Sequence, residues 1–127
     1  MIKRIKLWGP VVFWCGLIFY FSHQPHLRIV EAWWDLIVRK IAHMVEYGIL
    51  ARLFSRALTG SAPAWTSRKV WQTAFVLTVL YAVSDEWHQS FIPGRVGSVV
   101  DVGIDSLGAA LAFAGEIRKN PGRPVAA

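Results

Sequence analysis

Lys40, His43 and Glu46 follow one another at three-residue intervals, and Tyr47 adjoins the last of them. Asp85, Glu86, His88 and Gln89 crowd the end of another segment, Arg95 follows a short way on, and Asp101 and Asp105 stand four residues apart in a third. Histidine with carboxylate is an acid–base pair that burial and neighbours tune toward neutral pH. In such a pair His43 or His88 is the base or acid, and Asp101 or Asp105 orients it. Lys40 and Arg95 offer positive charge to an anionic group such as a phosphate, arginine as a planar fork. His43, Asp85, His88, Asp101 and Asp105 also supply the nitrogen and oxygen ligands a divalent metal accepts, although no spacing among them is a metal signature of the H-E-x-x-H kind. No serine or cysteine stands out as a nucleophile.

The segments that carry these groups are apolar. Charge inside a bilayer is costly, so ionisable residues there are rare and mark functional sites. The chain has 127 residues, 54% of them hydrophobic and seven of them tryptophan, which points to one domain, residues 1–127, of an integral membrane protein. The net charge of +6 does not point to nucleic acid, because the basic residues gather at the ends of apolar segments, as in a charge-oriented membrane protein. The one cysteine, Cys15, lies in an apolar run and reads as a small buried hydrophobe without an internal disulfide.

The expected fold is all-α, a polytopic bundle of four transmembrane helices over about residues 5–22, 33–54, 70–88 and 99–117. Each reaches or nearly reaches the roughly 20 residues needed to cross a bilayer core. The first segment is read as a retained helix, because Phe21-Ser22-His23-Gln24-Pro25 lacks the small-residue cleavage site of a signal peptide. Thr59-Gly60-Ser61-Ala62-Pro63 reads as a loop, and residues 118–127 as a frayed tail.

Lysine and arginine are distributed unevenly about these spans. Lys3, Arg4, Lys6, Arg52, Arg56, Arg68, Lys69, Arg118, Lys119 and Arg123 fall on one side, against Arg28 and Arg95 on the other, with Arg39 and Lys40 inside a span. The positive-inside rule then places both termini in the cytoplasm. Trp33 and Trp34 are expected as an outer aromatic anchor, and Trp8, Trp65 and Trp71 as an inner one.

This topology brings the ionisable groups of three helices to one level near the outer face. At 100° per residue, Asp35, Arg39, Lys40, His43, Glu46 and Tyr47 share one face, opposite Ile37, Val38, Ile41, Ala42, Met44, Val45, Gly48 and Ile49. Thr78, Tyr81, Asp85, His88 and Gln89 form a stripe on the third helix, with Thr78, Tyr81 and Gln89 read as interhelical hydrogen-bond glue. Glu86 lies off that stripe and is expected to face another neighbour or the headgroup region. Asp101, Asp105, Gly108, Ala112 and Gly115 form a stripe on the fourth, its small residues allowing close helix approach, within the chain or to a second copy. His23 and His26 are expected to be solvated.

Lys40-x-x-His43-x-x-Glu46-Tyr47 followed by Leu50 resembles the first motif of the VanZ-like membrane proteins. Asp85-Glu86-Trp87-His88-Gln89-Ser90-Phe91-Ile92-Pro93-Gly94-Arg95 followed by Asp101 resembles the second, and Asp105-Ser106-Leu107-Gly108-Ala109 its closing portion, where many members carry asparagine in place of Asp105. Phe19-Tyr20-Phe21-Ser22-His23-Gln24-Pro25 is similar to the end of the family's first helix. The resemblance spans about Phe19 to Gly115 and implies a small polytopic membrane protein of the bacterial cell envelope. Its eponym is associated with low-level teicoplanin resistance in Gram-positive bacteria, and no biochemical activity carries over.

Three readings of the polar pocket stay open. One is an enzyme acting at the extracytoplasmic face on a lipid-linked or anionic envelope substrate, with membrane lipid as its surroundings. Another is a non-catalytic module that binds a glycopeptide, headgroup or precursor. The third is a small proton- or ion-coupled transporter, for which four short helices leave little room unless the protein forms homo-oligomers. The candidate site is Lys40, His43, Glu46, Asp85, Glu86, His88, Arg95, Asp101 and Asp105; no cofactor is specified.

Overall fold

A computed structural model of the protein describes residues 1–24 and 33–119, so His26, Arg28 and the tail from residue 120 lie outside the described residues. Its helices are α1 (Ile2–His23), α2 (Trp33–Ser61), α3 (Ser67–Gln89) and α4 (Val99–Lys119), and the described residues contain no strand. The fold is all-helical, as expected. Ser98 starts α4, its hydroxyl accepting the Val100 N–H at 3.1 Å, and Thr66 starts α3, accepting the Lys69 N–H at 3.3 Å. Both satisfy amides that a helix leaves unpaired in its first turn.

One boundary differs from expectation. Thr59, Gly60 and Ser61 are the last turn of α2, not a loop. The Thr59 hydroxyl is satisfied inside the helix by the Ser55 carbonyl at 2.8 Å, and Ser61 accepts the Trp8 indole N–H of α1 at 2.9 Å. Gly60 leaves room for this docking: a Cβ there would stand 2.6 Å from the Leu7 side chain, which would have to shift. Tertiary contact with α1 thus carries α2 past residues whose own preference is for turns.

Successive helices run in opposite directions. α2 packs on all three of the others, α4 against α2 and α3, and α1 against α2 and α3. Away from the polar end the interior is apolar, built from Val11, Leu50, Ala51, Phe54, Ala57, Leu58, Val70 and Ala74. The α2–α4 contact is closest at Gly108, where a Cβ would fall 2.0 Å from the Met44 carbonyl oxygen. Of the small-residue stripe, Gly108 is therefore the close contact, with Ala109 beside it also buried, whereas Gly115 faces open space.

Burial is inverted relative to a water-soluble bundle. Asp35, Asp85, Glu86, Gln89 and Asp105 are buried, while Ile37, Val38, Ile41 and Val45 of α2, Val76, Leu80 and Val83 of α3, and Leu107 and Leu111 of α4 face outward. Continuous apolar surface of this kind marks a membrane or protein contact. By length and composition, α1 is the one described helix apolar enough to cross a membrane. α2, α3 and α4 are the helices that carry the buried ionisable groups. Trp33 and Trp34 are exposed, but Trp71 is buried against Ala109 and Phe113 and is part of the core, not an interfacial anchor.

Candidate functional site

A cavity of about 410 Å³ opens at one end of the bundle. Its wall includes Lys40, His43 and Glu46 from α2, Glu86 from α3, Arg95 from the α3–α4 loop, and Asp101 and Asp105 from α4. Seven of the nine residues singled out in the sequence therefore share one hollow. Arg39 and Gln89 also line it, with Phe21, Leu36 and Ile104 among its apolar walls. The size is that of a small-molecule pocket.

The groups are layered along the helix axes. At the outer layer Lys40 Nζ pairs with Asp101 Oδ1, and Arg39 pairs with Asp35 one turn earlier on the same helix at 3.2 Å. Arg39 Nε is buried and has no hydrogen-bond partner among the described residues. One turn deeper, His43 Nδ1 faces Asp105 Oδ1 at 3.6 Å. Asp105 is only 1% exposed, and its other oxygen, Oδ2, has no hydrogen-bond partner among the described residues. The His43 ring stacks on Tyr47 at 6.4 Å between centroids, which fixes its plane. Glu46, deeper still, lines the cavity, and its backbone carbonyl accepts the Trp14 indole N–H at 3.0 Å.

The second motif builds the roof. Ile92-Pro93-Gly94-Arg95 is a tight turn closed by the Arg95 N–H to the Ile92 carbonyl at 3.1 Å, with Gly94 at φ 81°. Proline before a positive-φ glycine is the type II pattern. Arg95 then reaches across to α1, its Nε donating to the Gln24 carbonyl at 3.1 Å and one terminal nitrogen to the Phe21 carbonyl at 3.4 Å; the other donates to Gln89 Oε1 at 3.2 Å. Burial, and secondarily the nearby Arg39, lower the Arg95 guanidinium from its ordinary value, though arginine stays protonated. Glu86 is not turned to the headgroup region. It is buried, and its Oε2 accepts the Ser98 N–H at 2.9 Å, tying α3 to the start of α4. Gly97 makes this possible, since a Cβ there would lie 2.3 Å from the Glu86 carbonyl oxygen.

Two expected members stand apart. Asp85 does not line the cavity. It is buried between α1, α2 and α3, where its Oδ2 accepts from Ser22 Oγ at 2.8 Å, Tyr47 Oη at 3.1 Å and Gln89 Nε2 at 3.2 Å. His88 points to α1 and is also outside the cavity. Its Nε2 lies 3.2 Å from His23 Nδ1, and Phe19 packs on its ring at 4.6 Å. His23 is exposed but, contrary to a purely solvated reading, has this ring partner. The reason is that α3 touches the other three helices, so its polar residues serve three directions, not one stripe.

The glue residues divide similarly. Tyr81 Oη donates to the Cys15 carbonyl of α1 at 2.6 Å, and Gln89 links Ser22, Asp85 and Arg95, whereas Thr78 bonds only back to Ala74 within α3. Ser22 and Arg39 were absent from the sequence-derived site. The face shared by Asp35, Arg39 and Lys40 carried the signal for Arg39. The Phe19–Pro25 motif carried it for Ser22.

His43 beside Asp105 has the arrangement of an imidazole with an orienting carboxylate, its Nδ1 turned to Asp105. The donor set does not suit a metal: among the described residues no three histidine, cysteine or acidic side chains converge to hold one. Asp85 and His88, two of the five donors considered, are turned elsewhere.

The model of a protein family described as VanZ/LLP1 matches residues 7–115, beginning earlier than the Phe19 start of the motif resemblance. No curated protein and no solved structure matches the sequence.

Proposed function

Because the chain belongs to the VanZ/LLP1 family, we propose that it is a multi-pass membrane protein of the bacterial cell envelope. In this reading the four helices all span the bilayer, both termini are cytoplasmic, and the cavity opens to the extracytoplasmic side. The outward apolar faces support the first point. The cluster of lysine and arginine at the end away from the cavity supports the second.

The cavity acts on a lipid-linked or anionic envelope substrate. The observation that carries this is the pairing of His43 with buried Asp105 inside a ligand-sized hollow that also contains basic groups. His43 transfers a proton, Asp105 orients its ring, and Arg39, Lys40 and Arg95 face the anionic group at the mouth. A contribution to glycopeptide resistance belongs to the same reading, as a consequence of altered envelope substrate.

Binding without turnover is the second reading. It is favoured by the commitment of Lys40 to Asp101 and of Arg95 to the end of α1, which leaves these cations less free to follow a reaction. Transport has less support. Below Tyr47 the buried hydroxyls of Ser55, Thr59 and Thr78 each bond to a carbonyl of their own helix, so they offer no relay across the apolar interior.

The test is untargeted profiling of lipids and cell-wall precursors in a deletion strain carrying either the wild-type protein or His43→Ala. Restoration by the wild type and not by the variant, at equal membrane abundance, is the expected result. Equal restoration by both removes His43 from the function, and unchanged profiles throughout defeat the catalytic reading.

A further inference from the structure

A connection exposed to water is normally written in polar residues. The one from α3 to α4 is not. From Trp87 to Val100 the sequence contains no acid and no lysine, and its single arginine, Arg95, turns its donors back to the end of α1 and to Gln89. His88 faces α1 as well. What this segment shows outward is Trp87, Phe91, Val96, Val99 and Val100, with Val96 86% and Val99 88% exposed. Trp87 and Phe91 meet edge to face at 5.7 Å between centroids and form one aromatic patch. The exposed hydroxyls of this end of α3 are already paired, Ser84 with the Tyr81 carbonyl at 2.7 Å and Ser90 with the Trp87 carbonyl at 2.5 Å.

The patch continues the outward faces of the bundle. Val76, Leu80, Val83 and Trp87 lie at helical spacing on one exposed face of α3, and Phe91 extends the row beyond the helix end. Val100, Leu107 and Leu111 make a second such row on α4. Tryptophan at a helix end, in line with an outward apolar row, is the pattern of a membrane interface. The depth follows from the backbone. Residues 90–98 are not helical, and irregular backbone facing lipid does not occur within the hydrocarbon. The hydrated headgroup layer is the level that accepts both the aromatic side chains and the irregular chain.

We propose that the α3–α4 connection is an interfacial element, seated at the headgroup–acyl border of the outer leaflet, and that the cavity is loaded there by a lipid-borne substrate. This rests on the four-span reading and narrows its substrate class. Gly94, Arg95 and Val96 belong both to this element and to the cavity wall. The rim of the cavity is therefore at headgroup level, where the polar part of a lipid-linked molecule already lies. Without outward charge the seating is hydrophobic and independent of anionic lipid, unlike that of a basic surface segment. The hydrated layer leaves Pro93 open to aqueous reagents.

The test places one nitroxide at a time on the whole chain in phosphatidylcholine nanodiscs, through Leu80→Cys, Phe91→Cys, Val96→Cys, Val99→Cys or Pro63→Cys in a Cys15→Ala background. All five side chains are exposed, so the label displaces no packing. Collision with oxygen and with a water-soluble nickel chelate is read by electron paramagnetic resonance. Position 80 is expected to favour oxygen strongly and position 63 the chelate. Positions 91, 96 and 99 are expected to fall between them with oxygen ahead, unchanged when phosphatidylglycerol replaces part of the lipid. If those three match position 63 while position 80 remains in lipid, the interfacial element is overturned and the four-span reading stands. If position 80 matches position 63, that reading falls too. Little collision with either reagent, together with spin–spin broadening between copies, gives the patch to a second copy of the chain and overturns the proposal. Loading from the leaflet is tested by combining Phe91→Glu with Val99→Glu, which alters exposed side chains alone. The label at position 96 is expected to shift to the aqueous pattern, and envelope-profile rescue in the deletion strain is expected to be lost at equal membrane abundance. An unmoved label overturns the seating; a shifted label with full rescue overturns loading from the leaflet.

Discussion

Asp105 of α4 meets His43 of α2 at 3.6 Å with one carboxylate oxygen and keeps the other buried, without a hydrogen-bond partner among the described residues. One side chain thus stands beside a potential base and holds a second oxygen, without a partner among the described residues, in the packed interior behind it. Two carboxylate oxygens with different tasks make its substitution informative in a way that loss of the whole side chain is not.

Asp105→Asn keeps the volume of the side chain but removes its charge. If His43 works as acid or base, the variant is expected to lose about a hundredfold or more in function, the scale of a positioned proton-transfer group. His43→Ala should be at least as severe. Dose–response of envelope-profile rescue at matched membrane abundance checks both, and a fully active Asp105→Asn protein would remove the carboxylate from the mechanism.

Gly108 has no room for a side chain. A Cβ there would press on the backbone of Met44 at 2.0 Å, so Gly108→Ala must push α2 and α4 apart and is expected to cost about 1–3 kcal/mol. Gly115→Ala, with open space around it, should change stability little and gains helix propensity. Thermal unfolding of the two variants in the same detergent compares them directly.

The Asp85 network joins three helices through one oxygen. Ser22→Ala and Tyr47→Phe each remove a donor to a buried carboxylate, and each is expected to cost about 1.5–3 kcal/mol. In an Asp85→Asn background the same changes should cost less, because the groups act as one network. Double-mutant cycles on unfolding free energy measure that difference; strict additivity would mean that the three groups do not act together.

The proposed topology of four spans with cytoplasmic termini requires a definite labelling pattern. In a Cys15→Ala background, cysteine at Pro93 is expected to react with a membrane-impermeant maleimide added outside intact cells, and cysteine at Pro63 only after permeabilisation. Equal reaction at both positions would place the two loops on the same side and end the four-span reading.

Much of the site was legible because helical rotation places Lys40, His43 and Glu46 on one face whatever their partners do. The paired acids of α4 followed by the same reasoning. α3 resisted it. Its stripe was drawn through Asp85 and His88, yet α3 is surrounded by α1, α2 and α4, so Asp85 turns to the core, His88 to α1, and Glu86 and Gln89 to the cavity. Periodicity places residues on a face but does not say which neighbouring helix each of them meets. The end of α2 was misread for a related reason: Thr59-Gly60-Ser61 has turn composition, and only the docking of Leu7 and Trp8 keeps it helical.

The inverted burial has a consequence for durability. If all four helices span the bilayer as proposed, acyl chains solvate their leucine and valine as well as another helix does, and hydrocarbon contact gives them little reason to associate. Adhesion must then come from the close backbone approach at Gly108 and from the charged cluster at the bundle's outer end. The candidate site is in that sense a rivet: a change to its charged groups also loosens or tightens the assembly, and variation there is constrained twice.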